Sequence, residues 1–308
     1  ETTINVDIPR EDSRLVVNAI LAADSSVRLH LSSSRFSLDD TPIQPVKGAE
    51  VILFEDGQQV AVLEESQAGM NGEAGWYQSS YLPKAGHSYS LRATKEGFQT
   101  VEAETFITKP VSIGDLDYDY LVLDQSIIVD GVPDTFRQKE LQEVSLLIED
   151  PAGESNYYEV IMYQESVQYL RDFNGMDPVI YDTIYRLNET YLSSDDPLFT
   201  ENDLLDSDAS YYGNSLIFSD ETFDGRSYRL AFRQQGSSGF SEDGSLKYLV
   251  FLRSLNREQY LYIQSLQLQR ETEGNPFAEP VPVYNNIVGG YGIFSGYSRD
   301  TRIIELQD

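Results

Sequence analysis

Imidazole, thiol and carboxylate groups do most protein chemistry, and the 308-residue sequence supplies them unevenly. It has two histidines, no cysteine, and 51 acidic side chains against 22 basic ones. Without Cys there is no disulfide framework, thiolate zinc site, cysteine nucleophile or iron–sulfur cluster. His30 has the outward parity of an alternating segment, opposite to Val27, Leu29 and Leu31, and His87 follows Gly86 in a turn. Both read as exposed side chains rather than as a base or a metal ligand. A glycosidase needs two carboxylates at a set separation, but with 51 acids some pair always meets it, so the count assigns nothing. None of the motifs G-x-S-x-G, H-E-x-x-H or G-x-x-x-x-G-K-[ST] occurs.

Two acidic clusters have spacing that matters. Asp115, Asp117 and Asp119 alternate, so a strand would carry them on one face, where they repel unless water or a cation intervenes. Read as an EF-hand loop the series fails, with Tyr120 at the glycine position and Ser126 at the glutamate position. The second cluster is Asp195, Asp196, Glu201, Asp203, Asp206 and Asp208, in a stretch without Lys or Arg from 187 to 225. Oxygen-rich loops hold calcium, which makes Asp195, Asp196, Asp206 and Asp208 the candidate ligands; a solvated acidic loop is the alternative. No other cofactor is expected. Tyr211, Tyr212, Tyr291, Phe294 and Tyr297 could stack on sugar rings, or pack as ordinary strand residues.

The elements that must position these residues are mostly strands. Segments 15–20, 27–31, 51–54, 60–63, 76–77, 89–93 and 101–106 alternate or run apolar, with Asp56-Gly57 as a turn and Pro83, Gly86 and Gly97 between the later ones. About seven short strands without a helical period predict an immunoglobulin-like β-sandwich over 13–110, after a polar stalk at 1–12. Lys109-Pro110 marks the boundary. A larger β-rich domain is expected over 111–308, with strands around 144–148, 157–163, 228–232 and 248–252. Asn256 with Gln259 three residues on resembles a capping box, which predicts one helix over 256–271, closed by Gly274 and Pro276. Residues 190–214 read as an acidic excursion from the core. The fold class is therefore mainly β, with one helix.

Residues 1–112 carry 16 acids and 9 bases, and residues 113–308 carry 35 and 13. A net charge of −29 repels phosphate backbones and anionic lipid headgroups, so no nucleic-acid partner is expected. The longest apolar runs, 19–23 and 248–252, have five residues, far short of the ~20 in a membrane helix.

The C-terminal stretch Gly274-Asn275-Pro276-Phe277-Ala278-Glu279-Pro280-Val281-Pro282-Val283-Tyr284-Asn285-Asn286-Ile287, followed by Gly289-Gly290-Tyr291-Gly292-Ile293-Phe294, is distinctive. It resembles the closing motif of a Bacteroidota outer-membrane lipoprotein family classed as a domain of unknown function. Supporting matches lie at 15–17, 45–51, 86–91, 97–103, 156–158, 218–220 and 254–260, so the resemblance covers nearly all of 13–306. Members of that family are commonly encoded beside TonB-dependent receptors. The resemblance implies a signal peptide ending in a lipidated Cys, which would lie just before Glu1. A chain that opens on Glu1 rather than Met agrees with a processed product.

The prolines and glycines of the motif read first as structural, fixing φ or permitting positive φ. The same segment makes Tyr284, Asn285, Asn286, Tyr291 and Phe294 the candidates for partner docking. The resemblance implies a non-enzymatic lipoprotein, lipid-anchored in the outer membrane at the cell surface, that is an accessory subunit of a TonB-dependent transporter in nutrient capture or delivery. The alternatives are an independent glycan- or peptide-binding surface module and a carboxylate-dependent hydrolase.

Overall fold

A computed structural model of the chain describes residues 12–36, 39, 41–66, 74–129, 132–172, 179–200, 211–235, 246–272, 279 and 281–306. Side chains at 123–129, 132–139, 168, 171–172, 200, 211–213 and 271 fall outside the description. The protein is mainly β. The chain forms two compact units: residues 1–109 with 255–298, and residues 110–254 with 299–308.

In the first unit the strands are β1 (Leu15–Ala22), β2 (Val27–Ser33), β3 (Gln44–Pro45), β4 (Glu50–Glu55), β5 (Gln58–Glu65), β6 (Trp76–Ser79), β7 (Ser88–Thr94) and β8 (Val101–Phe106). Their alternation has a direct structural meaning: Leu15, Val17, Ala19 and Leu21 of β1 point inward, as do Val101 and Ala103 of β8. The strand order β1-β2-β6-β5-β4-β7-β8 is sandwich-like, because β5 pairs with β4 over most of its length and with β6 through Glu64 and Glu65. The two layers close on Leu29, Leu31, Tyr77, Val51, Leu53 and Leu91. Asp56 and Gly57 both have positive φ (48° and 79°), the geometry a two-residue hairpin turn requires.

The second unit holds longer strands: β9 (Ile113–Val129), β10 (Val132–Glu149), β11 (Tyr157–Asp172), β12 (Val179–Glu189), β13 (Tyr191–Ser194), β14 (Tyr211–Gly213), β15 (Ser215–Ser219), β16 (Ser227–Gln235) and β17 (Leu246–Leu255). A short helix α1 (Pro197–Thr200) follows β13. One sheet has the order β14-β13-β16-β10-β9; the other carries β12, β11 and β17, with β15 also paired to β11. Ile113, Val144, Leu146, Leu230 and Phe232 from the first meet Tyr158, Val160, Tyr248, Val250 and Leu252 from the second in one buried core.

The helix α2 (Arg257–Thr272) and strand β18 (Tyr291–Leu306) complete the list of elements. The N-terminus of α2 is capped as expected, with the Gln259 amide donating to Asn256 Oδ1 at 2.9 Å. The return bond of a capping box is not made, because Gln259 Oε1 instead accepts the Ser295 hydroxyl. Asn256 Nδ2 is also drawn inward, to Thr105 Oγ1 at 2.5 Å and the Phe106 carbonyl at 3.0 Å. Gly274 and Pro276, expected to close the helix, lie outside the described residues.

Two expectations need correction. The chain is not cut once near 110: residues 255–298 return to the first unit, so α2 belongs there and not to the second domain. The physical reason is β18, whose first half pairs in parallel with β1, from Val16 opposite Tyr291 to Ala22 opposite Tyr297. A single helix was also too few, since α1 forms within the acidic excursion, of which 201–210 lie outside the described residues.

Candidate functional site

The C-terminal motif is built into the first unit. Asn286 acts as a side-chain strand partner, accepting the Phe294 N–H at 2.9 Å and donating to the Phe294 carbonyl at 2.7 Å. Asn285 Oδ1 accepts the Ile287 N–H at 3.1 Å, and the Tyr284 N–H donates to Ser265 Oγ of α2 at 2.8 Å. Val288 and Glu102 exchange backbone hydrogen bonds at 2.8 and 3.2 Å. A Cβ at Gly290 would lie 2.4 Å from the Leu15 carbonyl oxygen, and one at Gly292 2.0 Å from that of Val17. Of the five docking candidates, Phe294 is fully buried and cannot meet a partner. Asn286 is committed to Phe294, and Tyr284 is half-buried. Asn285 is exposed, and Tyr291 is 40% exposed under the Arg14 guanidinium, 5.5 Å from its ring centroid.

Of the four candidate calcium ligands, the described residues include Asp195 and Asp196, and both are engaged by neighbouring side chains or backbone. Asp195 accepts Arg233 Nη1 at 2.6 Å. Asp196 starts α1 by accepting the Leu198 N–H at 3.1 Å and takes the Tyr228 hydroxyl at 2.5 Å. Asp195, Asp196 and Arg233, with Glu143, Ser193 and Ser194, border a cavity of about 170 Å³. Asp206 and Asp208 lie outside the described residues. Arg229 of β16 supplies a cation to two of the three alternating acids of β9, reaching Asp117 at 2.7 Å and Asp115 at 3.0 Å.

A different trio comes together. Asp150, Asp220 and Asp224 each place one carboxylate oxygen within 4.8 Å of the others. Asp150 accepts the Tyr158 hydroxyl and the Gly225 N–H (2.8 Å), Asp220 accepts the Asn156 backbone and side-chain N–H groups (2.9 and 3.1 Å), and Asp224 accepts the Gly153 N–H (2.9 Å). Burial first, and then the neighbouring Asp150 and Asp224 charges, push the Asp220 carboxyl above its ordinary range. Three such oxygens suit a hard divalent cation in kind, yet each acid already staples the 150–156 turn to the 220–225 turn. The available sequence signal was the pair of turn dipeptides Asp150-Pro151 and Asp224-Gly225.

In the first unit, Glu55 accepts the Tyr81 hydroxyl at 2.5 Å and the Tyr89 hydroxyl at 2.9 Å, which holds its carboxyl below the usual range despite opposing burial. Burial and the Glu55 carboxylate push the Tyr81 phenol up to about 12. His87 is not a lone exposed imidazole, since its Nδ1 lies 2.7 Å from Asp56 Oδ2. His30 packs against Trp76, with ring centroids 5.2 Å apart. A cavity of about 520 Å³ opens beside Asp56, Tyr89, Glu104, Phe106 and Glu258.

The least conventional surface is the β9–β10 hairpin. Leu116 packs against the core of the second unit, while Tyr118 and Tyr120, on the same face further along β9, are exposed and have ring centroids 6.5 Å apart. Exposed Val122 continues that face. Acidic alternation in β9 was read from the sequence, but these outward aromatics were not.

No helix among the described residues is long and apolar enough to cross a membrane. No curated protein matches the chain. A family model does match, over residues 1–303, and the protein belongs to the family described as a domain of unknown function, DUF4249.

Proposed function

We propose that this protein is a non-enzymatic, lipid-anchored accessory subunit on the surface of the outer membrane of a Bacteroidota cell, where it binds a TonB-dependent transporter and aids nutrient capture or delivery. Family membership supports this reading through the lipoprotein character and receptor neighbourhood that the resemblance implies. The structural observation that carries it is the β9–β10 hairpin. A 17-residue strand spans about 55 Å at ~3.3 Å per residue, against a common strand length of ~5–6 residues. Tyr118, Tyr120 and Val122 give it a row of rigid apolar side chains that water contacts and a partner would cover.

The anchor would be a Cys preceding Glu1, and stable tethering takes two acyl chains rather than one. The net charge of −29 repels anionic headgroups and selects basic patches on the transporter. Extraction of native membranes in mild detergent tests the reading. A tagged chain is expected to bring down a TonB-dependent barrel, and the double variant Tyr118→Ser/Tyr120→Ser to lose it; a wild-type chain that never travels with a barrel overturns the proposal.

The cavity beside Tyr89 and Phe106 favours a second reading, an independent glycan- or peptide-binding module. Binding of the isolated chain to a glycan or peptide array, lost in Phe106→Ala, would select it.

A further inference from the structure

We propose that β12 is a self-complementary edge through which two copies of this chain pair antiparallel about a two-fold axis at Ile184. The strand order ends on β12, and among the described residues no strand pairs with its outer side. Eleven residues long, it carries five exposed large apolar side chains: Val179, Ile180, Tyr181, Tyr185 and Leu187. Tyr181 is 66% and Tyr185 71% exposed. A long apolar edge of this kind is a template for strand addition.

Charge placement identifies the occupant. Asp182 and Arg186 are both exposed and stand two residues either side of Ile184. In an antiparallel pair centred on Ile184, Asp182 faces the second copy's Arg186, and the symmetry makes that pair twice. Thr183 then faces Tyr185 on the other face of the ribbon, and the symmetry makes that pair twice as well. Moving the centre to Asp182 or Arg186 sets like charges opposite each other, and centring on Thr183 or Tyr185 leaves both charges facing other residues. Opposite charges favour and like charges disfavour a cross-strand pair, so one register is selected over its neighbours. The bulge at Tyr181, between Asp182 opposite Leu170 and Ile180 opposite Arg171, ends the regular stretch and confines the paired segment to about five residues. An interface this small is weak and concentration-dependent.

Sedimentation of the 308-residue chain over a wide concentration series tests the proposal without any membrane or transporter, so its outcome is independent of the receptor reading. A monomer–dimer equilibrium is expected. Arg186→Asp and Asp182→Arg should each weaken it about tenfold, because each converts two attractive pairs into two repulsive ones. The combined swap Asp182→Arg/Arg186→Asp should recover it to within about threefold. As a second measurement, Ile184→Cys places the only thiol of the chain opposite its own copy, and mild oxidation should give a disulfide dimer that Val62→Cys, on an exposed site of the first unit, does not. A chain that stays monomeric, single reversals without effect, a double swap that fails to recover, or equal cross-linking at 184 and 62 each overturn the proposal.

Discussion

Replacing Gly292 by Ala should unfold the first unit more readily than any other single methyl addition near the C-terminal motif. Gly292 sits at a φ of 111°, opposite Val17 in the β1–β18 ladder. The added Cβ would lie 2.0 Å from the Val17 carbonyl oxygen and 2.8 Å from its carbonyl carbon, both backbone atoms that cannot swing aside. Strain at such a φ costs about 1–3 kcal/mol, and prising β18 off β1 forfeits backbone hydrogen bonds worth about 1 kcal/mol each. The expected loss is about 4 kcal/mol, or roughly 10 °C in Tm for a unit of this size. Trp76 is the only tryptophan and lies in β6 of the same unit, so its fluorescence in urea follows that unit's unfolding. Gly97→Ala is the control: its φ is 87°, nothing lies within 4 Å of the added Cβ, and it should cost only about 1 kcal/mol. Equal destabilisation by the two substitutions would refute the claim that β18 completes the first unit through backbone contact.

Three further outcomes follow from polar groups that are buried or partly buried. Tyr248 is fully buried and its hydroxyl has no hydrogen-bond partner among the described residues, so Tyr248→Phe should raise the stability of the second unit by about 1 kcal/mol in chemical denaturation. Asn286→Ala removes both side-chain bonds to Phe294 and should cost about 2 kcal/mol, whereas Asn285→Ala, at an exposed position, should cost less than half of that. The Asp220 carboxyl has its pKa raised above 3.8, so the folded state binds that proton before the unfolded state does. Its contribution therefore favours folding below pH 3.8 and is lost as pH rises through the raised value. Asp220→Asn should remove that dependence and stabilise the chain at neutral pH, measured as the difference between the two stability–pH curves.

The strands of the first unit were legible because one face is buried and the other wet. Leu15, Val17 and Ala19, or Val101 and Ala103, alternate with polar neighbours, and Asp56-Gly57 spells its own turn. The helix start was legible for the same local reason, since Asn256 caps it. What escaped was non-local or two-sided. Strand β12 is wet on both faces, so Val179 to Glu189 carries no alternation of apolar and polar side chains. The glycines at 290 and 292 look like a loop, yet they sit where β18 approaches Leu15 and Val17, a partnership between residues almost the whole chain apart. For the same reason Phe294 looked like a docking aromatic and is a core residue. The surroundings of the acidic residues are likewise set by the fold. Asp195 and Asp196 lie in a run of acids, but Arg233, Tyr228 and the start of α1 occupy them, while Asp150, Asp220 and Asp224 meet only after the chain has folded.

Site-specific cross-linking in living cells addresses the proposed role most directly. A photoactivatable benzophenone side chain in place of Tyr120, on the outward face of the β9–β10 hairpin, should on irradiation join the protein covalently to a TonB-dependent transporter, identified by mass spectrometry of the adduct. The same probe at Val62 in the first unit should not. If the Tyr120 probe yields no barrel adduct while the protein is folded and present at the outer membrane, this hairpin does not engage a transporter and the accessory role proposed for the protein fails.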